Sequence, residues 1–530
     1  MKSRKFLFFF FFLILAFNFD FYNSSINTNI TTQNTLIKLY IGKLKDTSLK
    51  VISEPIIVDS DTAFISYGFL GNGSKSNPFI IQNLEINTGI EVGIAVFNTS
   101  KCFMIIDCQI QAKDVAIFLY NNTGDYIGLE DNYCSYCTYW GIYSALCSNL
   151  TITRNTCISN EVGIGVFASN YSSIMDNSCY DNEFGIVGRY LMETNITENI
   201  CEFNEIVGMN ILYSLQVLVH QNICSHSRYG IDLYGIVNST FSSNEFQYTD
   251  DGFYNYGLEN VVMIDNACRY NYVGILNSHC NNISIINNNC SDGTYGIWIS
   301  ETDLSVIQGN FCNNNSEDGL HFHTCSSSMV VNNTCNNNLK NGIWISIPNK
   351  VFKDNLQLIN NTCNNNVYGI NLEHVDSHLI TGNICSKNDK YGIILEESSY
   401  NYILDNTFQE NKECGAYISD GLSASNKIYG NYFICNNLEG TETGNSQCFD
   451  NSYSSRWYNS DAESGNYYSD YSGEGEYLID GSTERTDPYP MVYEYNCSST
   501  EKTGNSYWIT LISIVSLAGI AVIGKKQLLI

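Results

Sequence analysis

Two stretches decide the fold of this chain, "VVNNTCNNN" at residues 330–338 and "LINNTCNNN" at residues 358–366. They are neighbouring copies of one motif, in which an apolar residue is followed three positions later by Asn and two positions after that by Cys. Most copies lie 22 or 23 residues apart, whereas this pair lies 28 apart because of an insertion around residues 346–355. The motif Asn recurs at Asn132, Asn155, Asn177, Asn199, Asn222, Asn244, Asn266, Asn288, Asn310, Asn333, Asn361, Asn383, Asn406 and Asn431.

Most repeats also carry a glycine about ten residues after the motif Asn, and an apolar residue follows it. Segments that begin there, such as "GIWI" at residues 342–345 and "GINL" at residues 369–372, alternate with the period of a β-strand. A unit this short has no room for a helix and must stack on its neighbours to bury an apolar face. Leucine-rich repeats are the main alternative, but leucines at fixed offsets and a helical side are missing. The sequence therefore predicts an all-β protein, a right-handed parallel β-helix solenoid of about 15 coils, near 70 Å long at roughly 4.8 Å per coil.

The motif Asn is predicted to stand at one corner of every coil. Side-chain amides stacked at the inter-strand spacing can hydrogen-bond along the column and satisfy polar groups that the corner would otherwise bury. The repeated glycine suits either a left-handed backbone or a close approach between coils. The predicted structural ladder includes Asn155, Asn177, Asn199, Asn222, Asn288, Asn333, Asn361 and Asn383.

The cysteine two residues after the motif Asn forms a column of its own, for which a core, a metal site and disulfides are alternatives. Three coils carry Phe246, Phe408 and Phe433 at this position, and Phe can replace a small buried hydrophobe but not a metal ligand. Buried Cys packs as a compact apolar group, so a core column is favoured. Disulfides between adjacent coils are kept as an alternative, since the coil spacing falls within the range of Cα–Cα distances that a disulfide allows. We also predict a disulfide between Cys435 and Cys448, which would close the last coil onto a C-terminal cap.

Both ends of the chain are typical of an exported and anchored protein. The first residues combine basic side chains with an apolar run and indicate a signal peptide, with an uncleaved anchor as the alternative. Near the other end, an apolar stretch would span about 27 Å as a helix, close to the thickness of a bilayer core. We predict a cell-surface, single-pass protein that contacts the membrane through this helix. The predicted ranges are 1–20 signal peptide, 21–70 N-terminal cap segment, 71–436 β-helix, 437–498 C-terminal cap module, 499–506 linker, 507–524 transmembrane helix and 525–530 cytoplasmic tail.

Several segments carry a resemblance to a known family. The "GIxI" coils, "GNGSKSNPFIIQNLEI" at residues 71–86, and "GNYYSDYSGEG" at residues 465–475 with the following "DGSTERTDPYPM" resemble NosD-like right-handed β-helix proteins with PbH1 repeats. The resemblance implies a parallel β-helix fold. For function it implies several classes, among them surface proteins, polysaccharide lyases, hydrolases and epimerases, and copper-handling accessory proteins.

Candidate metal ligands and catalytic residues are few. Extracellular copper sites draw on His and Met, yet among seven His only His321 and His323 share a strand face, with Glu373 or His374 two coils further on. A solvated outer face accounts for these residues better, so neither a metal nor another cofactor is predicted. The acidic face around Glu373 and Glu396 could serve general acid–base chemistry. Basic residues that would neutralise a uronate are nearly missing there, and the Asp-Pro-His signature of alginate-type epimerases is absent, so no catalytic residue is assigned.

The candidate carbohydrate-binding residues are Trp298, His321 and Trp344 on three consecutive coils, with Glu373 on the next. Exposed aromatic rings at coil spacing can stack on sugar rings, and packing under neighbouring loops is the alternative. The predicted function is a non-enzymatic cell-surface protein for adhesion or carbohydrate binding, with surface glycans as partners. A polysaccharide-active enzyme and a copper-handling accessory protein are the alternatives. The net charge of −28 disfavours nucleic acid as a partner.

Overall fold

The computed structural model describes residues 49–347, 355–438, 446–492 and 497. The chain separates into two compact units, Met1–Leu49 and Lys50–Ile530, and the solenoid belongs to the second unit. Within the described residues, no helix has the length and apolar character that crossing a membrane requires. The predicted signal peptide, linker, transmembrane helix and cytoplasmic tail lie outside the described residues.

Each coil contributes strands to parallel sheets that run along the solenoid. Sheet I pairs its 17 strands in chain order. They are Ile56–Val58, Val92–Phe97, Val115–Tyr120, Trp140–Ala145, Val162–Phe167, Phe184–Arg189, Val207–Leu212, Tyr229–Tyr234, Asp251–Tyr256, Val273–Ser278, Tyr295–Ser300, Leu320–His323, Asn341–Ser346, Tyr368–Glu373, Tyr391–Glu396, Cys414–Ile418 and Cys448–Asp450. This confirms the predicted all-β parallel solenoid of about 15 coils.

Sheet II follows sheet I in every coil and has 16 strands. They are Phe79–Gln82, Phe103–Ile106, Ile127–Glu130, Leu150–Thr153, Ser173–Met175, Asn195–Thr197, Leu218–His220, Thr240–Ser242, Glu259–Ile264, Asn281–Ile286, Val306–Gln308, Met329–Val331, Gln357–Ile359, Leu379–Thr381, Tyr402–Leu404 and Lys427–Tyr429. The motif Asn stands two residues after the end of the sheet II strand in every coil that carries the motif, whereas the first two strands, Phe79–Gln82 and Phe103–Ile106, come before the first motif.

Sheet III completes the coil and carries the cysteine column. Its first part has nine strands, Lys50–Ile52, Leu84–Asn87, Gln109–Gln111, Tyr133–Ser135, Thr156–Ile158, Ser178–Tyr180, Ile200–Glu202, Ile223–Ser225 and Glu245–Gln247, and its last part has four, Ile384–Ser386, Thr407–Gln409, Tyr432–Ile434 and Tyr467–Tyr468. Single bridges at Ala267, Asn289, Phe311, Thr334 and Thr362 join the two parts. A four-residue helix, Ala63–Ser66, and an antiparallel pair, Tyr477–Ile479 with Arg485–Asp487, complete the described elements.

Parallel strands continue past both predicted limits of the β-helix, residues 71 and 436. At the start, Lys50–Ile52 pairs with Leu84–Asn87, and Ile56–Val58 pairs with Val92–Phe97. At the end, Cys448–Asp450 still pairs in sheet I and Tyr467–Tyr468 in sheet III. The two N-terminal strands and Cys448–Asp450 do not follow the repeat motif, so the repeat pattern could not predict them. Tyr467–Tyr468 follows Asn466, whose Oδ1 accepts from the Asn431 Nδ2 at 2.9 Å and extends the asparagine column, although Glu463 replaces the apolar residue of the motif.

The cysteine column is part of the core. Cys157, Cys179 and Cys201 stack in register on sheet III and have no exposed surface. All cysteines of the column are free thiols, so the alternative of disulfides between adjacent coils is wrong. Burial raises the pKa of Cys157, which keeps its thiol neutral in the core. Phe246 continues the column in register with Cys224, which confirms the core interpretation.

The predicted asparagine ladder is confirmed. The Asn199 Nδ2 donates to Asn222 Oδ1 at 2.9 Å and to the Ile174 carbonyl at 2.9 Å. The Asn199 Oδ1 accepts from the backbone N–H of Asn177 at 3.0 Å and from its Nδ2 at 2.9 Å. The residue before each motif Asn has a left-handed backbone, with φ of 57° at Glu198. The ladder therefore supplies hydrogen-bond partners to the backbone N–H and carbonyl groups that have no strand partner at this tight corner.

A second asparagine ladder, which was not predicted from the sequence, runs five residues after the first. The Asn182 Nδ2 donates to Asn204 Oδ1 at 3.1 Å and to the Cys157 carbonyl at 3.1 Å. Its members are Asn160, Asn182, Asn204, Asn271, Asn315, Asn338, Asn366, Asn388, Asn411 and Asn436. The cysteine strand is thus enclosed between two columns of buried amides.

The predicted disulfide between Cys435 and Cys448 is wrong. Cys435 is bonded to Cys497, with the Cα atoms 5.5 Å apart. Cys448 is a free thiol with 1% of its surface exposed, because its sheet I strand places it in the core next to Ala416. Cys435 instead lies at a corner with a positive φ, from which it bonds to a residue beyond the last coil.

Candidate functional site

The predicted binding residues lie on the outer face of sheet I. Trp298, His321 and Trp344 occupy the same strand position in three consecutive coils. The Trp298 indole stacks on the His321 imidazole with ring centroids 4.4 Å apart, and the His321 and Trp344 centroids are 4.3 Å apart with the rings inclined by 57°. The structure thus brings these three residues into one continuous column, which we call the aromatic strip.

The aromatic strip is less exposed than the sequence predicted. His321 retains 5% of its accessible surface, and Trp298 and Trp344 are half-buried. The Trp298 and His321 rings lie almost parallel, inclined by 12°, so their facing surfaces are occupied by each other. A ligand would therefore contact the strip along its outer edge, not between the rings.

A buried carboxylate that was not predicted from the sequence holds His321 in place. The Asp318 Oδ2 lies 3.2 Å from the His321 Nδ1. The other oxygen, Oδ1, accepts hydrogen bonds from the Asn341 backbone N–H at 3.1 Å and from its Nδ2 at 2.7 Å. Asp318 stands immediately before the coil glycine, a position that holds Tyr in several other coils. An acidic residue in place of Tyr is the sequence signal from which this buried carboxylate could have been predicted.

A second column on the same strands is polar. Ser300, His323, Ser346, Glu373 and Glu396 stand in register on consecutive coils and form what we call the polar strip. On each strand, the residue of the polar strip comes two positions after that of the aromatic strip. Alternate residues of a strand point to the same side, so the two columns share one face of sheet I.

The two strips meet at Glu373. Its Oε2 accepts a hydrogen bond from the Trp344 Nε1 at 3.2 Å, and its Oε1 lies 3.7 Å from the His374 Nε2. Burial raises the pKa of the adjacent Glu396, and the Glu373 and Asp420 carboxylates raise it further. This end of the face is therefore acidic, with an indole and carboxylates in direct contact.

A polar cluster that was likewise not predicted lies on sheet I several coils earlier. The Asn210 Nδ2 donates to Asp232 Oδ2 at 2.7 Å. Burial raises the pKa of Asp232 to about 6 and that of Asp251 to about 7, the latter with a contribution from the neighbouring Asp250. Tyr229 pairs in register with Asp251, and both Asp251 and Asp232 raise its pKa in addition to burial. Two carboxyl groups that titrate near neutral pH thus flank one tyrosine.

The stacked parallel sheets and the inner ladders of Asn and Cys define a parallel β-helix protein. The family model described as "Periplasmic copper-binding protein (NosD)" matches residues 23–201 and 290–473, and the model described as "Right handed beta helix region" matches residues 216–351. The chain belongs to the NosD family, since that match covers more than half of it.

Solved structures match the chain at low identity and with low TM-scores. The periplasmic alginate epimerase AlgG is 14% identical, with a TM-score of 0.34 over 73% of this chain and 84% of that one. The mannuronan C-5 epimerase AlgE6 A-module of Azotobacter vinelandii is 12% identical, with a TM-score of 0.29 over 66% and 83%. DFA-IIIase from Arthrobacter chlorophenolicus is 10% identical, with a TM-score of 0.32 over 62% and 83%. No curated protein matches the chain. Likeness at this level carries no conclusion about activity.

The family description implies copper, and the described residues do not fit a copper site. Among them, no group of three or more His, Cys, Asp or Glu side chains is arranged to hold a metal ion. The His321 ring is enclosed by two indoles and directs its Nδ1 towards Asp318. The column thiols are buried in the core, where burial disfavours the thiolate that a soft metal needs. No copper-dependent function is therefore assigned to these residues.

Proposed function

We propose that this NosD-family chain is a non-enzymatic cell-surface protein that binds glycans on the outer face of sheet I. The observation that carries this proposal is the pair of parallel columns, the aromatic strip and the polar strip, which lie side by side across consecutive coils. A sugar has apolar C–H surfaces and a rim of hydroxyl groups, and a binding site for it needs both kinds of partner. A linear glycan that runs along the solenoid would contact the aromatic strip with its C–H surfaces and the polar strip with its hydroxyl groups.

The charge of the face favours a neutral or amine-bearing glycan. Glu373, Glu396 and Asp420 raise the negative charge at one end of the strips. In the middle, Lys340 pairs with Glu317 and is therefore not free to neutralise a uronate. A polyanionic glycan would be repelled, which agrees with the overall net charge of −28. The surface location rests on the sequence of the two ends, which favours export and anchoring.

The test is glycan-array binding by the purified full-length chain. The double variant Trp298→Ala, Trp344→Ala is expected to bind a neutral glycan ligand at least about tenfold more weakly, because both indole rings of the aromatic strip are lost. Glu373→Gln should weaken binding of amine-bearing glycans more than that of neutral ones.

Tyr234→Ala is the matched control, since Tyr234 is an exposed aromatic residue of sheet I outside the strips. If the double variant binds as the unchanged protein does, the proposed surface is excluded.

A polysaccharide-active enzyme is the second candidate, favoured by the carboxyl groups of Asp232 and Asp251. Acid–base catalysis needs one carboxyl group that keeps its proton near neutral pH and one that has lost it. Raised pKa values of about 6 and about 7 on one sheet face meet that condition.

If the enzyme hypothesis holds, turnover of a polysaccharide will have a bell-shaped pH dependence. Activity falls below about pH 6, where the base is protonated, and above about pH 7, where the acid has lost its proton. Asp232→Asn should lower the rate about 100-fold, whereas Asp176→Asn, at an exposed corner outside the cluster, should not. Equal rates in the two variants would remove this candidate.

A further inference from the structure

We infer that a second ligand site, on sheet II, binds a neutral saccharide unit. A cavity of about 360 Å³ opens on the outer face of this sheet in the N-terminal half of the solenoid. None of the residues that line it belongs to the aromatic strip, the polar strip or the Asp232 cluster. The inference is therefore independent of the function proposed for sheet I.

The floor of the cavity is made of small polar side chains. Thr151, Ser173 and Asn195 stand in register on three consecutive coils, with their side chains on the outer face. Gly128 precedes Thr151 in the same column. A Cβ atom on Gly128 would lie 3.0 Å from the Tyr126 hydroxyl, so the glycine leaves the space into which Tyr126 extends.

The rim of the cavity is formed by corner residues that repeat from coil to coil. Asn149, Tyr171 and Glu193 hold the same corner position, each with a positive φ near 50°. Tyr171 is 56% exposed, so its ring offers a flat apolar surface at the opening. Lys75 and Asp125 line the cavity as well.

The lining selects the chemical class of the ligand. An apolar ligand would leave the hydroxyl and amide groups of the floor without partners, which is costly. A phosphate or a uronate would face two carboxylates, Asp125 and Glu193, against one amine, Lys75. A neutral saccharide can place its hydroxyl groups on the floor and a C–H face on Tyr171. The volume lies at the low end of the range of roughly 300–1,000 Å³ for ligand pockets, which suits one or two sugar units.

The experiment is a titration of the full-length chain by isothermal calorimetry and saturation-transfer NMR. The probes are the neutral disaccharides cellobiose, maltose, lactose and mannobiose, with digalacturonate and inorganic phosphate for comparison. Tyr171→Ala and Ser173→Gln, which remove the flat rim and fill the floor, are each expected to weaken binding of the neutral ligand about tenfold or more. The titrations are made in the Trp298→Ala, Trp344→Ala background, so that neutral-sugar binding to the aromatic strip on sheet I does not contribute to the signal.

Tyr136→Ala is the matched control, because Tyr136 is also a corner tyrosine, 59% exposed with φ of 55°, and it does not line the cavity. Thermal melts of all variants show whether each one is folded. Saturable binding of a neutral disaccharide that both cavity variants weaken, and that Tyr136→Ala retains, supports the inference. Three results overturn it: absence of neutral-sugar binding at millimolar concentration, equal binding in folded Tyr171→Ala and Ser173→Gln variants, or preference for digalacturonate or phosphate.

Discussion

Replacing Gly208 by Ala is expected to destabilise the solenoid by about 3 kcal/mol or more, one of the largest effects of a single methyl group. A Cβ atom at this position would lie 2.6 Å from the Cys224 Cβ, 2.7 Å from the Gly230 carbonyl oxygen and 2.8 Å from the Cys224 Sγ. Gly208 does not have a positive φ, so the glycine is needed for close approach and not for a left-handed turn. The added methyl group must push one coil away from the next, which lengthens the hydrogen bonds between their strands.

Gly89→Ala is the control for this prediction, since no atom lies within 4 Å of a Cβ added there and its φ is not positive. Its effect should stay within about 0.5 kcal/mol. Because a solenoid can lose coils locally, hydrogen exchange of peptides from the strands around residues 207–234 should be measured beside the thermal melt. A Gly208→Ala variant with unchanged exchange in those peptides would contradict the close-approach explanation.

Periodicity made most of the fold predictable from the sequence. The motif Asn, the column Cys and the coil glycine recur because every coil meets the same neighbours above and below. The second asparagine ladder was harder to predict because its column is interrupted by Ser227, Thr249 and Gly293, whereas the first ladder has Asn in every repeat. The bond between Cys435 and Cys497 could not be derived from the repeat, since Cys497 follows the last coil and obeys no period.

The site was predictable in position but not in environment. Equal offsets from the coil glycine placed Trp298, His321 and Trp344 in one column, and the structure has them in contact. His321 is buried by Asp318, three residues before it, and by the indoles of the two neighbouring coils; offsets from the coil glycine place these residues but do not predict how closely they pack. The raised pKa of Asp232 was not predictable for a similar reason, because it comes from burial, which the strand pattern alone does not give.

Replacing Asn199 by Ala is expected to cost about 3 kcal/mol or more, because it removes a buried hydrogen-bonding group that serves several partners. The Asn177 backbone N–H loses the oxygen 3.0 Å away to which it donates. The Ile174 and Thr197 carbonyl groups lose the Nδ2 donor at 2.9 Å and 3.0 Å. Asn199 has no exposed surface, so water cannot replace these bonds without opening the corner.

Asn282→Ala tests whether burial is the reason for that cost. Asn282 belongs to an exposed column of amides, and its Nδ2 donates to Asn260 Oδ1 at 2.7 Å, the same kind of bond as in the buried ladder. Water can replace this exposed bond, so the loss should be about 1–2 kcal/mol, most of it the cost of alanine at a left-handed position. Chemical denaturation of both variants measures the difference. Equal losses would mean that the amide bond itself stabilises the corner, whereas a clearly larger loss in Asn199→Ala would establish that the buried ladder acts by satisfying backbone groups that water cannot reach.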